Sequence, residues 1–149
     1  MVILAAIDDI ERSKQVVTIA YDLAEKYDDT LAALHVVPTE DYDAHRRSIE
    51  KIPEFSDFSL TQEAESAENF AQRFVAESLG EYDDERIEPR GRVGDVATEI
   101  LAEADRLDPR YLVISGRRRS PTGKAIFGNT AQAILLGAEC PVVTKLTDD

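Results

Sequence analysis

VILAAIDDIERSKQVVTIAYDLAEKY, residues 2–27, changes its hydrophobic period once, and that change decides the fold. Val2 to Ile7 is an unbroken apolar run ending at Asp8. Runs without alternation suit strands buried on both faces, as in parallel sheets. Then Val16, Ile19, Ala20, Leu23, Ala24 and Tyr27 recur at three and four residues, which predicts one inward helix face. Asp8 and Glu11 have D-x-x-E spacing, so Asp8 is expected to cap that helix.

The same alternation continues. Leu31 to Val37 is a second apolar run, broken only by His35 and stopped by Pro38. Thr39 to Ser59 shows no sustained period and reads as a long loop. Ser59 and Gln62 have capping-box spacing before a second helix, with Ala64, Ala67, Phe70, Ala71, Phe74 and Val75 inward and Gly80 ending it. Residues 85–93, ERIEPRGRV, are a weak strand, and Pro89 places it at a sheet edge. Gly94-Asp95 turns into a third helix with Val96, Ile100, Leu101 and Ala104 inward. Tyr111 to Ile114 is a fourth strand. Asn129 to Leu136 is a short helix with Asn129 as its cap and Gly137 closing it, and Pro141 to Leu146 is the last strand. Strands alternating with helices predict a doubly wound parallel sheet. Ligands of such sheets sit beyond the carboxyl ends of strands where strand order reverses, which directs attention to Asp8 and to the loop after the fourth strand.

Composition narrows the classes. The 149 residues are expected to form a single domain. No apolar run approaches the length of a membrane span. The opening residues lack a basic flank and a small-residue cleavage site, and the single cysteine, Cys140, suits a reducing compartment, so a cytoplasmic location is expected. Thirty Asp and Glu against 17 Lys and Arg leave a formal charge of -13, which disfavours nucleic acid and anionic membranes as partners. Dispersed carboxylates and scarce lysine fit a halophilic cytosol, such as that of a halophilic archaeon, where salt screens self-repulsion. An ordinary acidic mesophilic protein is the alternative.

Against that background GRRRSPTGKAIFGNT, residues 116–130, is unexpectedly basic. Gly116 directly after a buried strand is expected to turn the backbone sharply. Glycine-freed amides and the start of the following helix make a ready anion site, with the helix dipole adding to it. Arg117, Arg119 and Lys124 add donors matched to phosphate oxygens. A nucleotide phosphate chain is one candidate; a solvated loop pairing with acidic neighbours is the other.

In order and spacing, the ILAAIDD opening, LHVV at Leu34 to Val37, RVGD, YLVISG and GNTAQAILLGAECPVV resemble the universal stress protein (UspA-like) family over essentially the whole chain. The resemblance implies a flavodoxin-like, adenine nucleotide α-hydrolase-like sheet of five parallel strands in the order 3-2-1-4-5. It also implies a homodimer through the last strand, where Val142, Val143 and Leu146 would form the edge. Nucleotide-binding members carry G-x2-G-x9-G-S/T after strand four. Here Gly116 fits, Arg119 replaces the second glycine, eight residues separate Arg119 from Gly128, and Asn129 stands where Ser or Thr belongs; Gly123 and Thr130 are the nearest substitutes. The candidate set implied for ATP or AMP, with Mg accompanying ATP, is Ala6, Ile7, Asp8, Val36, Ser115, Gly116, Arg117, Arg119, Gly123, Gly128, Asn129 and Thr130. Asp8 would meet the ribose or adenine side, while Ala6, Ile7 and Val36 would line the base pocket. The alternative is a dimer that binds no nucleotide and acts through protein partners.

His35 reads as a satisfied core or interface group, and His45 has no metal-ligand spacing around it. Ser120 and Thr122 in the basic loop are candidates for phosphorylation, which would cancel local positive charge, without motif support. No nucleophile, base and orienting group occur together, so any ATP hydrolysis is expected to be slow and incidental. A phosphorelay receiver would use Asp8-Asp9 and Lys145 but needs an aspartate after strand three; Asp57 in PEFSDFS follows no buried strand. Nucleotide α-hydrolase enzymes need a Ser-Gly loop after strand one, whereas Ser115-Gly116 follows strand four.

Overall fold

The computed structural model describes residues 1–8, 11–41, 43–44, 60–117 and 128–147. The elements run β1 (Val2–Ile7), α1 (Ser13–Tyr27), β2 (Thr30–Pro38), α2 (Leu60–Leu79), β3 (Ile87–Gly94), α3 (Val96–Leu107), β4 (Tyr111–Arg117), α4 (Asn129–Gly137) and β5 (Val142–Thr147). The five strands pair in parallel in the order β3-β2-β1-β4-β5. This is the doubly wound sheet that the alternation of periods predicts.

Alternate residues of one strand feed opposite layers. Ile3, Ala5 and Ile7 of β1 pack with Val16, Val17 and Ala20 of α1 and Ala71, Phe74 and Val75 of α2. Leu4 packs on the other face with Ile100 and Ala104 of α3 and Ala131 and Ile134 of α4. Burying one Val, Leu or Ile side chain is worth about 1.5–3 kcal/mol, against at most about 1 kcal/mol for an exposed ion pair. The two apolar layers therefore dominate stability. β1 reads as continuously apolar because both of its faces are covered.

Local expectations fare unevenly. Asp95 caps α3, its carboxylate accepting from the Thr98 N–H at 3.1 Å. Gly80 follows α2 at φ 72, and its N–H donates to the Ala76 carbonyl at 3.1 Å. In α1, however, Tyr27 at the end of the helix is exposed, its ring 6.0 Å from that of Tyr111, and Val17 is in the core instead. Residues 39–41 and 43–44, expected as loop, have helical backbone; 45–59, with His45, Asp57 and the Ser59 cap, lie outside the described residues. Gly137 is the last helical residue of α4 rather than the one beyond it. Among the described residues no helix is long and apolar enough to cross a membrane.

β3 is an edge strand, as Pro89 requires, and its polar sequence has a specific cause. Arg90 and Arg92, two residues apart, lie on one face and converge on Glu103 of α3. Glu103 is 3% exposed and lies 3.4 Å from Arg90 Nη1, 3.1 Å from Arg92 Nε and 3.2 Å from Arg106 Nε. Three guanidinium partners compensate a carboxylate whose burial alone would be costly. Charge thus replaces apolar packing between β3 and α3. On the other face α2 crosses β3 at Gly91 with no room to spare. A Cβ there would collide with the Ala64 carbonyl oxygen and lie 2.5 Å from the Glu68 nitrogen and 2.8 Å from the Ala67 Cβ.

At the amino ends of the strands a second buried carboxylate is held. Asp29 Oδ2 accepts from Arg110 Nε at 2.7 Å, the Arg110 guanidinium lies 4.2 Å from the centre of the Tyr27 ring, and Arg86 donates to the Asp29 carbonyl at 2.8 Å. The Arg110 hydrogen bond holds the Asp29 carboxyl below its ordinary value, outweighing the opposing effect of burial.

Two measurements test these contacts. Gly91→Ala is expected to lower the urea midpoint by the equivalent of about 1–3 kcal/mol with an unchanged denaturant slope, since α2 must lift from β3. A folded-state pKa below the unfolded value stabilises above about 3.9 and is lost as pH falls through the lower native value. Asp29→Asn is therefore expected to be less stable than the parent at pH 7. The gap should narrow steadily in melts taken below about pH 3.9.

Candidate functional site

β1 and β4 are neighbours for only three residue pairs, Ile3–Tyr111, Leu4–Leu112 and Ala5–Val113. Beyond them β1 stays with β2 as far as Ile7–His35, and β4 stays with β5 as far as Arg117–Thr147. The two middle strands part because the connections on either side run to opposite faces of the sheet. The gap opens a cavity of about 620 Å³ at the carboxyl end of the sheet. This lies within the usual size range of small-molecule sites.

Its inner wall is apolar. Ala6, Ile7, Leu34, Val36 and Ile114 come from the strands, Val96 and Ile100 from α3, and Ala131 and Ile134 from α4. Its mouth is polar, with Asp8, Arg12, His35, Asp41, Ser115, Arg117, Asn129 and Thr130. The site can take a flat apolar group inside and a charged one outside.

Asp8 does not cap α1 in the expected way. The helix begins later, at Ser13, with Arg12 as its N-cap. The buried Ser13 hydroxyl instead donates to Asp8 Oδ1 at 2.7 Å and accepts from the Asp8 N–H at 3.1 Å. This reciprocal pair clamps the end of β1 to the start of α1 and aims the Asp8 carboxylate. His35 Nδ1 donates to the Ile7 carbonyl at 3.0 Å, and its ring lies 4.4 Å from that of Phe70. The histidine is satisfied, as expected, and also forms part of the mouth.

Gly116 makes no turn. β4 continues through it, and Gly116 pairs with Leu146; positive φ occurs among the described glycines only at Gly80 and Gly94. It lines the cavity together with Ser115 and Arg117. Asn129 is likewise not the cap of α4. Gly128 is, at φ -68 and ψ 169, and it brings no side chain to the first-turn N–H groups. The Gln132 N–H is the first to be used within the helix, donating to the Gly128 carbonyl at 3.0 Å. The Asn129, Thr130 and Ala131 amides lie at the positive end of the helix dipole and border the cavity.

Of the residues proposed from sequence, Ala6, Ile7, Asp8, Val36, Ser115, Gly116, Arg117, Gly128, Asn129 and Thr130 all line this one cavity. Arg119, Gly123, Lys124, Ser120 and Thr122 lie outside the described residues. Sequence reasoning missed Ile114, the α3 pair Val96 and Ile100, and Arg12. The first three were read as inward-facing; Ile100 and Ile114 are in the core, and Val96 is partly buried against it. Arg12 had a signal that went unread: it is a scarce cation placed in the connection after β1. Among the described residues no group of three or more His, Cys, Asp or Glu side chains is arranged to hold a metal ion.

Comparison with known proteins bears on this arrangement. The profile of the Universal stress protein family matches residues 1–144. The chain belongs to the universal stress protein family. A universal stress protein of Mycolicibacterium smegmatis is 45% identical over 47 residues, which are 32% of this chain and 35% of that protein. The match thus spans about a third of the relative's length. Among solved structures, a universal stress protein in complex with cAMP superimposes with a TM-score of 0.63 at 16% identity, covering 99% of this chain and 97% of the other. One from Archaeoglobus fulgidus in complex with dAMP gives a TM-score of 0.58 at 18% identity, covering 97% and 96%. At such identities the likeness shows the fold. Five parallel strands in this order, with helices on both faces, are the universal stress protein architecture.

The Asp8–Ser13 clamp can be tested directly. Ser13→Ala is expected to destabilise this universal stress protein by about 1–3 kcal/mol in urea titrations, because two partly buried polar groups lose a partner together.

Proposed function

We propose that this universal stress protein binds an adenine nucleotide in the crevice between β1 and β4. The observation that carries the reading is the division of the cavity into an apolar inner wall and a mouth bordered by the first amides of α4. The base would lie against Ala6, Ile7, Val36 and Ile114. The ribose would approach Asp8, and the phosphates would reach Arg117 and the Asn129 and Thr130 amides. A helix start with a glycine cap suits an oxyanion without requiring a hydroxyl at residue 129. The departures from G-x2-G-x9-G-S/T are therefore compatible with phosphate binding. The cAMP and dAMP complexes of universal stress proteins support the same chemistry. AMP and ATP are the ligands we favour, with Mg arriving as the counter-ion of ATP.

The wider setting we propose is a stress-response module of a single domain in the cytoplasm of a halophile, working as a homodimer. Among the described residues β5 pairs with β4 alone, and Val142, Val143 and Leu146 are half-buried along that outer strand. An exposed apolar edge favours pairing with a second copy. This also supports the second reading, a dimer that acts through protein partners without nucleotide.

Native mass spectrometry of the freshly purified protein, followed by calorimetric titration with AMP and ATP in high salt, tests the nucleotide reading. A bound adenine nucleotide is expected, with Gly128→Trp weakening the titrated affinity at least about tenfold, some 1.4 kcal/mol. Gly128 has ordinary backbone angles, so tryptophan is conformationally tolerated there and acts by filling the mouth. A dimer without nucleotide that gives no heat with either ligand favours the protein-partner reading.

A further inference from the structure

We infer that Arg12, in the connection between β1 and α1, is a second anion-binding residue of the crevice, gripping a ligand's phosphate from the wall opposite Arg117. The inference deepens the proposed function and, as a claim about nucleotide, rests on it.

In this acidic protein most of the described arginines are engaged. Arg86, Arg90, Arg92, Arg106 and Arg110 each meet a carboxylate at 2.6–3.5 Å. Arg12 and Arg117 form no such pair among the described residues, and both line the cavity. The Arg12 Nε is moreover buried without a hydrogen-bond partner among the described residues. A guanidinium nitrogen out of water and unbonded costs about 1–3 kcal/mol. The local placement adds to that cost. Arg12 is the N-cap of α1, where a cation opposes the helix dipole and where Ser, Thr, Asp or Asn would satisfy the first amides. No acidic residue stands in the first turn of α1 to offset it.

An unfavourable residue at a cavity mouth is explained if a ligand completes it. The partner must be an anion with several oxygens, because a guanidinium offers a fork of donors best matched to phosphate or carboxylate. With the α4 amides and Arg117 on the β4 side and Arg12 on the β1 side, the mouth favours a phosphate held from both walls. Asp8 and Asp41 border the same cavity; they disfavour any anion that several donors do not grip at once.

The test uses the full chain, with Arg12→Gln, Arg12→Lys and, as a control, Arg73→Gln on the exposed face of α2. Each is titrated calorimetrically with adenosine, AMP and inorganic pyrophosphate, and melted without ligand. Arg12→Gln is expected to bind AMP and pyrophosphate about 10- to 100-fold more weakly while adenosine affinity is unchanged, with Arg12→Lys retaining part of the loss. Without ligand it should melt at or above the parent temperature, the reverse of what a structural arginine predicts. Unchanged AMP and pyrophosphate affinity in Arg12→Gln overturns the inference but leaves nucleotide binding standing, as would equal losses in Arg73→Gln. Absence of all binding by the parent overturns both. Pyrophosphate binding that depends on Arg12 without any adenosine binding keeps the anion site and sinks the adenine reading.

Discussion

A parallel sheet can extend in one direction only so long as its crossovers stay on one face. Here the first two crossovers, α1 and α2, pack on one face and the next two, α3 and α4, on the other. The direction of growth therefore reverses between β1 and β4, and these strands share only three residue pairs. The candidate site descends from that parting. It opens the cavity, sets the ends of β1 and β4 as facing walls, and brings α4 over the mouth with its first amides toward the opening.

The two layers solve different problems. Near β1 both faces are covered by helices, and the packed layers are apolar. Toward β3 the sheet reaches an edge, where Glu103 and its three arginines replace apolar contact and where only a glycine lets α2 approach. The buried carboxylate Asp29 does similar work at the amino ends of the strands. In a chain of formal charge -13 these pairings use much of the scarce positive charge. Among the described arginines that border the crevice, Arg12 and Arg117 are not used in this way.

A small number of residues connect fold and site. Asp8 and Ser13 hold one another across the start of α1, so the end of β1 is both a structural joint and a wall of the cavity. His35 joins β2 to the Ile7 carbonyl while its ring packs on Phe70. Gly128 begins α4 with no side chain between the first amides and the opening. Membership of the universal stress protein family fits this economy, because a small α/β domain has few places where backbone donors face outward.

Element order and most inward residues of the helices were legible in the sequence, because apolar period is a local property imposed by burial on one or two faces; strand order, a matter of distant pairings, came from the resemblance to the universal stress protein family. The run from Val2 to Ile7 and the spacing from Val16 to Ala24 needed no partner to be read. That the ends of β1 and β4 would converge was also legible, since strand ends at a reversal of order must do so; the ten candidate residues that line the cavity there came in part from that rule and in part from the family resemblance. What the chain alone did not disclose were matters decided between distant segments. Gly116 stays in β4 because Leu146 pairs with it, and α1 starts at Ser13 because Asp8 turns back to it. Arg12 became conspicuous only when packing buried its Nε and left it without a partner. Sequence period determines which face is buried; only the folded arrangement decides which polar atoms are stranded there.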